Sequence, residues 1–281
     1  MGNNEYDFTS LSTWQTCQRK YYYRHVRGLV GKVEATAPNF GKAIHAGLDS
    51  WYTDKDVTKA VDVFKSNYVE DLVRDDKRTH KMGEWILTNY DAKYRDQPHE
   101  LIKTEHSFRV PLANGNFLIG RIDKIVRWNN ALWVIDHKTT SQLGANYFKM
   151  AEPNMQFDIY TYAARAEGYP VVGVIVDALL VAKGLLDSTQ RTRLTPLARF
   201  DCYRSDDHMA ESMDTILSIQ SEIDRCRESG VWLPNYGACT DYGECAYRRV
   251  DMEDRDIRER IIQSDYKVEF WSPLTTQEAT A

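Results

Sequence analysis

Long apolar runs are missing from this sequence: none approaches the roughly 20 residues that a membrane-crossing helix needs. The amino terminus Met1-Gly2-Asn3-Asn4-Glu5 also lacks the basic start and apolar segment of an export signal. Both absences point to a cytoplasmic protein. Positive charge is not in excess, since 36 Lys and Arg stand against 41 Asp and Glu for a net charge of −5. That excludes a global attraction to nucleic acid, although a local basic groove can sit on an acidic chain. Cysteine is sparse. Five of them (Cys17, Cys202, Cys226, Cys239, Cys245) in a chain without an export signal argue against a disulfide framework and leave metal binding or plain burial. Internal repeats, low-complexity blocks and linkers are absent too, so one domain is expected over residues 1–274, with a disordered polar tail at 275–281.

What is present is a 42% hydrophobic composition, enough for a real core, and one stretch that carries chemistry. Gly120-Arg121-Ile122-Asp123-Lys124-Ile125 and Val134-Ile135-Asp136-His137-Lys138-Thr139 flank Asn129-Asn130, a dipeptide that tolerates positive φ and suits a tight hairpin turn. With Trp128 facing Ala131, counting outward sets Asp123 opposite Asp136. Like charges directly opposed on one sheet face destabilise it unless something bridges them, and a divalent cation would. The period of two places Lys138 on the face of Asp136. A hairpin serving stability alone would carry opposite charges or apolar pairs there.

Around this hairpin the chain reads as helices, then a sheet. Thr9 and Ser10 can cap a helix over 8–27, with Leu11, Trp14, Cys17 and Tyr21 at helical spacing. Its other face and its end mix Arg19, Lys20, Arg24, His25 and Arg27 with Tyr21, Tyr22 and Tyr23, either a solvated face over packed tyrosines or a surface for phosphates and bases. Helices follow from Gly41, over 60–73 and over 81–94; His45 alone reads as an ordinary helical histidine. A strand runs from Thr104 to Pro111 and turns at 113–116, and Glu105 on it is a surface glutamate or a contributor to a second metal. Pro153 opens a helix closed by Gly168 and Pro170, with Gln156 and Tyr160 four apart on one side. The apolar run 171–181 suits a strand covered on both faces, 198–203 an edge strand, and 206–228 a long helix. Cys239 and Cys245 then sit six apart in a loop, before a charged helix over 252–263 and a short strand over 266–270. The outcome is a mixed sheet with helices packed on it.

Taken together, these pieces resemble the PD-(D/E)xK nuclease superfamily, and within it the RecB-like branch of phage exonucleases and the CRISPR adaptation nucleases that carry an iron–sulphur cluster. The match runs from about residue 8 to 251 and in the family's order: a Cys-bearing helix followed by Arg19-Lys20-Tyr21-Tyr22-Tyr23, Gly41-x-x-x-His45, Gly120-x-x-Asp123, Asp136-x-Lys138-Thr139, Gln156-x-x-x-Tyr160 and a late cysteine loop. The resemblance implies an α/β fold with a restriction-endonuclease-like mixed β-sheet core (about 104–183), a helical N-terminal part (about 8–98) and a C-terminal helix with the cysteine loop (about 198–251). It implies metal-dependent hydrolysis of DNA phosphodiesters, as an exonuclease in recombination, repair or phage DNA processing, in a bacterial or phage-infected cytoplasm. Asp123, Asp136, the main-chain carbonyl of His137 and the imidazole of His45 would hold Mg²⁺ or Mn²⁺. Lys138 would orient the attacking water or neutralise developing charge, Gln156 and Tyr160 would contact the active site and the DNA, and Arg19, Lys20 and Arg24 would bind nucleic acid with single-stranded character.

Cys17, Cys239 and Cys245 match three ligands of a four-iron cluster, while the fourth falls on Asp251 or Cys226; zinc binding and plain packed thiols remain open beside the cluster. A non-catalytic DNA-binding or assembly subunit retaining the fold is the competing reading, against which the intact Asp123, Asp136 and Lys138 stand. No Gly-x-x-x-x-Gly-Lys-Ser/Thr loop occurs, so any unwinding would need a helicase or recombination partner.

Overall fold

The structure, a computed structural model, describes residues 4–32, 36–71, 75–191, 194–240, 244–270, 272 and 274. The tail at 275–281, the end of the helix expected to reach 73, and the cysteine-loop residues 241–243 lie outside them. In chain order the elements are β1 (Glu5–Tyr6), α1 (Phe8–Thr16), α2 (Gln18–Tyr21) continuing as a π-helical turn (Tyr22–Val26), β2 (Leu29–Gly31), α3 (Thr36–Asp54), α4 (Val57–Ser66) and α5 (His80–Tyr94). Next come β3 (Glu100–Pro111), β4 (Phe117–Trp128), β5 (Ala131–Thr140), α6 (Ala145–Ala151), α7 (Met155–Ala166) and β6 (Val171–Leu180). After a 3₁₀ turn (Lys183–Leu185) follow α8 (Ser188–Arg191), β7 (Leu197–Tyr203), α9 (Asp206–Ser229), a 3₁₀ turn (Tyr236–Cys239), α10 (Arg248–Met252), α11 (Arg255–Asp265) and β8 (Tyr266–Val268).

The chain folds into two units, one of residues 1–34, 108–120 and 206–281 and one of residues 35–107 and 121–205. In the first, β1 pairs parallel with the start of β4, and β2 pairs antiparallel with β8. Asp7 caps α1 by accepting from the Ser10 amide at 2.7 Å, while the Ser10 hydroxyl accepts from the Asp7 amide at 3.1 Å, a reciprocal capping box. The single helix expected over 8–27 breaks at Cys17, whose extended backbone (φ −167°) lies between α1 and α2. Trp14, Tyr21 and Tyr22 surround Trp232, and Tyr23, Leu29, Tyr247 and Val250 form a small core. Gly120 lies against the Phe108 ring: a Cβ there would stand 2.4 Å from Phe108 Cζ, which explains the glycine three residues before Asp123.

The second unit carries the sheet order β4-β5-β6-β7, with β4–β5 and β6–β7 antiparallel and β5–β6 parallel. Asn129 and Asn130 take the positive φ values of 48° and 62° that their turn needs, and Trp128 pairs with Ala131 as counted from the sequence. β6 is buried along nearly its whole length, as its unbroken apolar run requires. α3, α4 and α5 pack into one core with β5 and β6 through Ile44, Leu48, Phe64, Ile86, Ile135 and Ile175. α4 ends at Ser66, where Asn67 caps it by turning back to the Val63 and Phe64 carbonyls, shorter than the helix expected to 73. β3 begins at Glu100, four residues before the strand read from Thr104. No helix among the described residues is long and apolar enough to cross a membrane.

Candidate active site

The β4–β5 register runs from Trp128 against Ala131 to Lys124 against Ile135, and Asp123 and Asp136 are the next residues on the two strands. Both carboxylates are buried, at 8% and 1% exposure. Asp123 Oδ2 accepts from the main-chain N–H of His137 at 2.9 Å, and Asp123 Oδ1 lies 3.4 Å from His45 Nδ1. Lys138 Nζ lies 2.9 Å from Asp136 Oδ2 and donates to Gln156 Oε1 at 2.9 Å; Gln156 Nε2 in turn donates to the Tyr160 hydroxyl at 2.8 Å. His45 on α3 thus reaches Asp123 on β4, while Asp136 and Lys138 on β5 are joined to Gln156 and Tyr160 on α7.

Each is placed by its local sequence. Asn154 caps α7 by accepting from the Gln156 amide, which starts the helix so that Gln156 and Tyr160 share a face. On α3, Gly41, His45 and Asp49 recur at four-residue spacing, and a Cβ at Gly41 would stand 3.3 Å from Thr139 Oγ1, so the missing side chain lets this helix face lie close to β5.

Glu105 is the residue that sequence pattern underweights. Its ligand oxygen, that of Asp123 and a ring nitrogen of His45 all lie within 4.8 Å of one another. Glu105 takes a left-handed φ of 44° inside β3, a conformation that no strand residue adopts without cost. Period-two counting cannot foresee that turn. Arg121 Nε, at 3.1 Å, and Lys124 Nζ, at 3.8 Å, hold Glu105, and Lys124 also donates to the Asp123 carbonyl at 3.0 Å. Lys124 is fully buried in the midst of this set, and no sequence periodicity singled it out.

The electrostatics are those of crowded carboxylates. Burial favours a neutral Asp123, but the neighbouring His45 and the His137 amide more than offset it and hold the carboxyl well below the usual range. Burial raises Asp136, with Lys138 opposing and the Asp123 charge adding to the rise. Burial also raises Glu105, again with the Asp123 charge adding. Burial works against a charged His45, yet Asp123 pulls its pKa up. Negative charge thus accumulates where burial resists it, and a hard or borderline divalent cation suits such an imidazole–carboxylate donor set.

Cys17, Cys226, Cys239 and Cys245 belong to the other unit. Cys17 Sγ accepts from the Asn235 amide at 3.3 Å, Cys239 Sγ approaches the Asn235 carbonyl at 3.9 Å, and the Cys245 amide donates to the Cys239 carbonyl at 3.0 Å. Burial raises the Cys239 thiol, with the Cys245 and Cys17 thiols adding to the rise. Asp251 pairs with Arg19 Nη1 at 2.7 Å and accepts from the Tyr23 hydroxyl at 3.2 Å. Cys226 is buried on α9, its Sγ 3.7 Å from Gln18 Oε1. Arg19 also donates to the Trp232 carbonyl, and Arg24 to that of Glu269.

The PD-(D/E)XK nuclease superfamily model matches residues 8–250. No curated protein matches the chain significantly. Among solved structures, a Eubacterium rectale protein provisionally described as an exonuclease is similar over 90% of this chain and 90% of its own, at 12% identity and a TM-score of 0.55. SSO0001 (14% identity, TM-score 0.34, 72% of this chain and 80% of its own) and LHK-Exo, solved in complex with dAMP (13% identity, TM-score 0.29, 69% and 98%), resemble it more loosely. The Eubacterium rectale likeness, at its low identity, speaks for the shared fold alone. The family match spans nearly all of the chain, including every motif of the hairpin site, and on that extent the chain belongs to the PD-(D/E)xK nuclease superfamily.

Proposed function

We propose that this protein is a divalent-cation-dependent deoxyribonuclease of the RecB-like branch, acting as an exonuclease in recombination, repair or phage DNA processing. The observation that carries the reading is the pair of buried carboxylates Asp123 and Asp136 just beyond the β4–β5 register, with Lys138 on Asp136 and with His45 and Glu105 within ligand reach of Asp123. Asp123, Asp136, His45, Glu105 and the His137 carbonyl would hold Mg²⁺ or Mn²⁺. Bound there, the cation supplies Lewis-acid polarisation of a phosphate oxygen and a more acidic water. The chain's own groups do the rest. Lys138, tied to Asp136 and Gln156, presents a fixed ammonium where charge develops on phosphorus. Gln156, braced by the Tyr160 hydroxyl, holds that ammonium in line. Buried Lys124, with Arg121, neutralises Glu105 when no cation does.

Lys20 and Arg24, interleaved with tyrosines, are the proposed contacts to a single-stranded segment, whereas Arg19 is first a partner of Asp251. Cys17, Cys239 and Cys245 are the donors the chain offers to an iron–sulphur cluster. Its fourth ligand would be Cys226, or Asp251 released from Arg19. Iron content and visible absorption after anaerobic purification test that part.

The function itself is tested by a time course with Mg²⁺ or Mn²⁺ on single- and double-stranded DNA labelled at either end and on a closed circle. Release of short products from the linear strands, lost in Asp123→Asn, is expected. No cleavage with either cation removes the reading and leaves a DNA-binding subunit of the same fold.

A further inference from the structure

His137, Asp177 and Arg199 stand in register on β5, β6 and β7, forming one row of imidazole, carboxylate and guanidinium across three strands. The first two side chains are 1% and 0% exposed. Asp177 Oδ2 lies 3.3 Å from His137 Nδ1 and accepts from Arg199 Nη2 at 3.0 Å and from the Tyr90 hydroxyl at 2.6 Å. Arg199 Nη2 also donates to the Tyr52 hydroxyl at 3.1 Å. Tyr52 follows His45 on α3 by two helical turns, on the same face. The His137 ring has the Tyr52 ring at 5.7 Å and the His45 ring at 5.9 Å.

Stability does not account for this row. Taking each charge out of water is costly, and well-packed apolar residues of similar volume often serve a core equally well or better. The row is also incompletely satisfied: among the described residues, His137 Nε2 and Asp177 Oδ1 are buried without a hydrogen-bond partner, which costs stability. What the row reaches is the metal site. The His137 main-chain N–H binds Asp123 Oδ2, and His137 sits in the chain between Asp136 and Lys138.

We propose that the His137–Asp177–Arg199 row positions the cation site, anchoring β5 behind Asp136 and Lys138 and, through Tyr52, α3 behind His45. The inference rests on reading that site as a divalent-cation nuclease centre. None of the three side chains touches substrate; they act through the ligands, as partners behind metal ligands do elsewhere, where their loss weakens metal affinity about 10–100-fold.

The test is Mn²⁺ affinity, by electron paramagnetic resonance or calorimetry, measured beside thermal unfolding and cleavage kinetics. Asp177→Asn and His137→Phe should each weaken Mn²⁺ binding about tenfold or more. The triple variant His137→Phe/Asp177→Leu/Arg199→Met removes the whole charge set. It should keep its unfolding temperature and still bind Mn²⁺ at least about tenfold more weakly. Its cleavage rate should recover part of the loss at saturating Mn²⁺. A triple variant that binds Mn²⁺ like wild type overturns the proposal, and one that cannot fold does so too, since the row then serves the fold itself. If the wild-type protein takes up no Mn²⁺, the nuclease-centre reading falls and the inference with it. If wild type and variants bind it equally, only the inference falls.

Discussion

Replacing Lys138 by alanine should separate what the ammonium does for the fold from what it does for chemistry. Its Nζ lies 2.9 Å from Asp136 Oδ2, with side-chain exposures of 34% for Lys138 and 2% for Asp136. Removing one partner of a fully buried ion pair costs about 3–5 kcal/mol. Water already reaches Lys138, so the expected loss is smaller, about 1–3 kcal/mol. Burial already raises the Asp136 pKa, so that carboxyl can take up a proton once its counterion is gone, which limits the loss further. At about 2–4 °C per kcal/mol for a chain of this size, the metal-free Tm should fall by about 2–12 °C. Saturating Mn²⁺ should narrow the gap, because a cation held by Asp136 replaces the missing charge. Cleavage should not recover with it: loss of a donor aimed at developing charge costs about 10²–10³ in rate. Differential scanning calorimetry with and without Mn²⁺, beside a cleavage assay at saturating metal, reads both effects. Wild-type cleavage by Lys138→Ala refutes the catalytic assignment, and a Tm loss that Mn²⁺ leaves untouched refutes the shared role of Asp136.

Three further outcomes follow from particular contacts. Arg204 Nε lies 2.5 Å from Asp158 Oδ1, with side chains 3% and 9% exposed, so Asp158→Ala should cost about 3–5 kcal/mol in denaturant unfolding, and a loss below about 1 kcal/mol would mean the pair is solvated. Gly120→Ala drives a Cβ into the buried Phe108 ring and should destabilise by about 1–3 kcal/mol, an effect that trimming Phe108 to leucine should relieve. Burial, aided by Arg24 for His25 and by Arg199 for His99, lowers both histidines from 6.5 to about 4. The unfolded chain then binds more protons between those values, so stability should fall as pH drops from about 6.5 to about 4 and level off below for these two groups. Urea titrations across that range, with His25→Gln showing a shallower slope, check the sign.

Each carboxylate's place in the hairpin was legible in one dimension because a strand's period of two and an Asn-Asn turn leave little freedom. Once Trp128 faces Ala131, Asp123 must meet Asp136. Helical spacing likewise placed Gln156 with Tyr160, and the apolar run at 171–180 required a strand buried on both faces. Asp177, a lone carboxylate inside that run, was a visible sign of a buried network, but its partners His137 and Arg199 lie on other strands, and sheet register is a tertiary fact. The break at Cys17 was invisible for a similar reason: apolar spacing continues through it, and the extended residue is held by contacts far along the chain, the Arg19 amide donating to the Leu233 carbonyl.

Local pattern thus placed the Asn129-Asn130 hairpin, the buried strand at 171–180 and the lysine beside Asp136, because neighbours a few residues apart settle periodicity and turns. Only the tertiary structure decided that Glu105, through one left-handed residue in a strand, joins His45 and Asp123. It also decided that Arg19 turns to Asp251 and that His137, Asp177 and Arg199 meet in one buried row. Those outcomes depend on side chains brought together from distant segments, where burial and charge, rather than spacing, choose the partner.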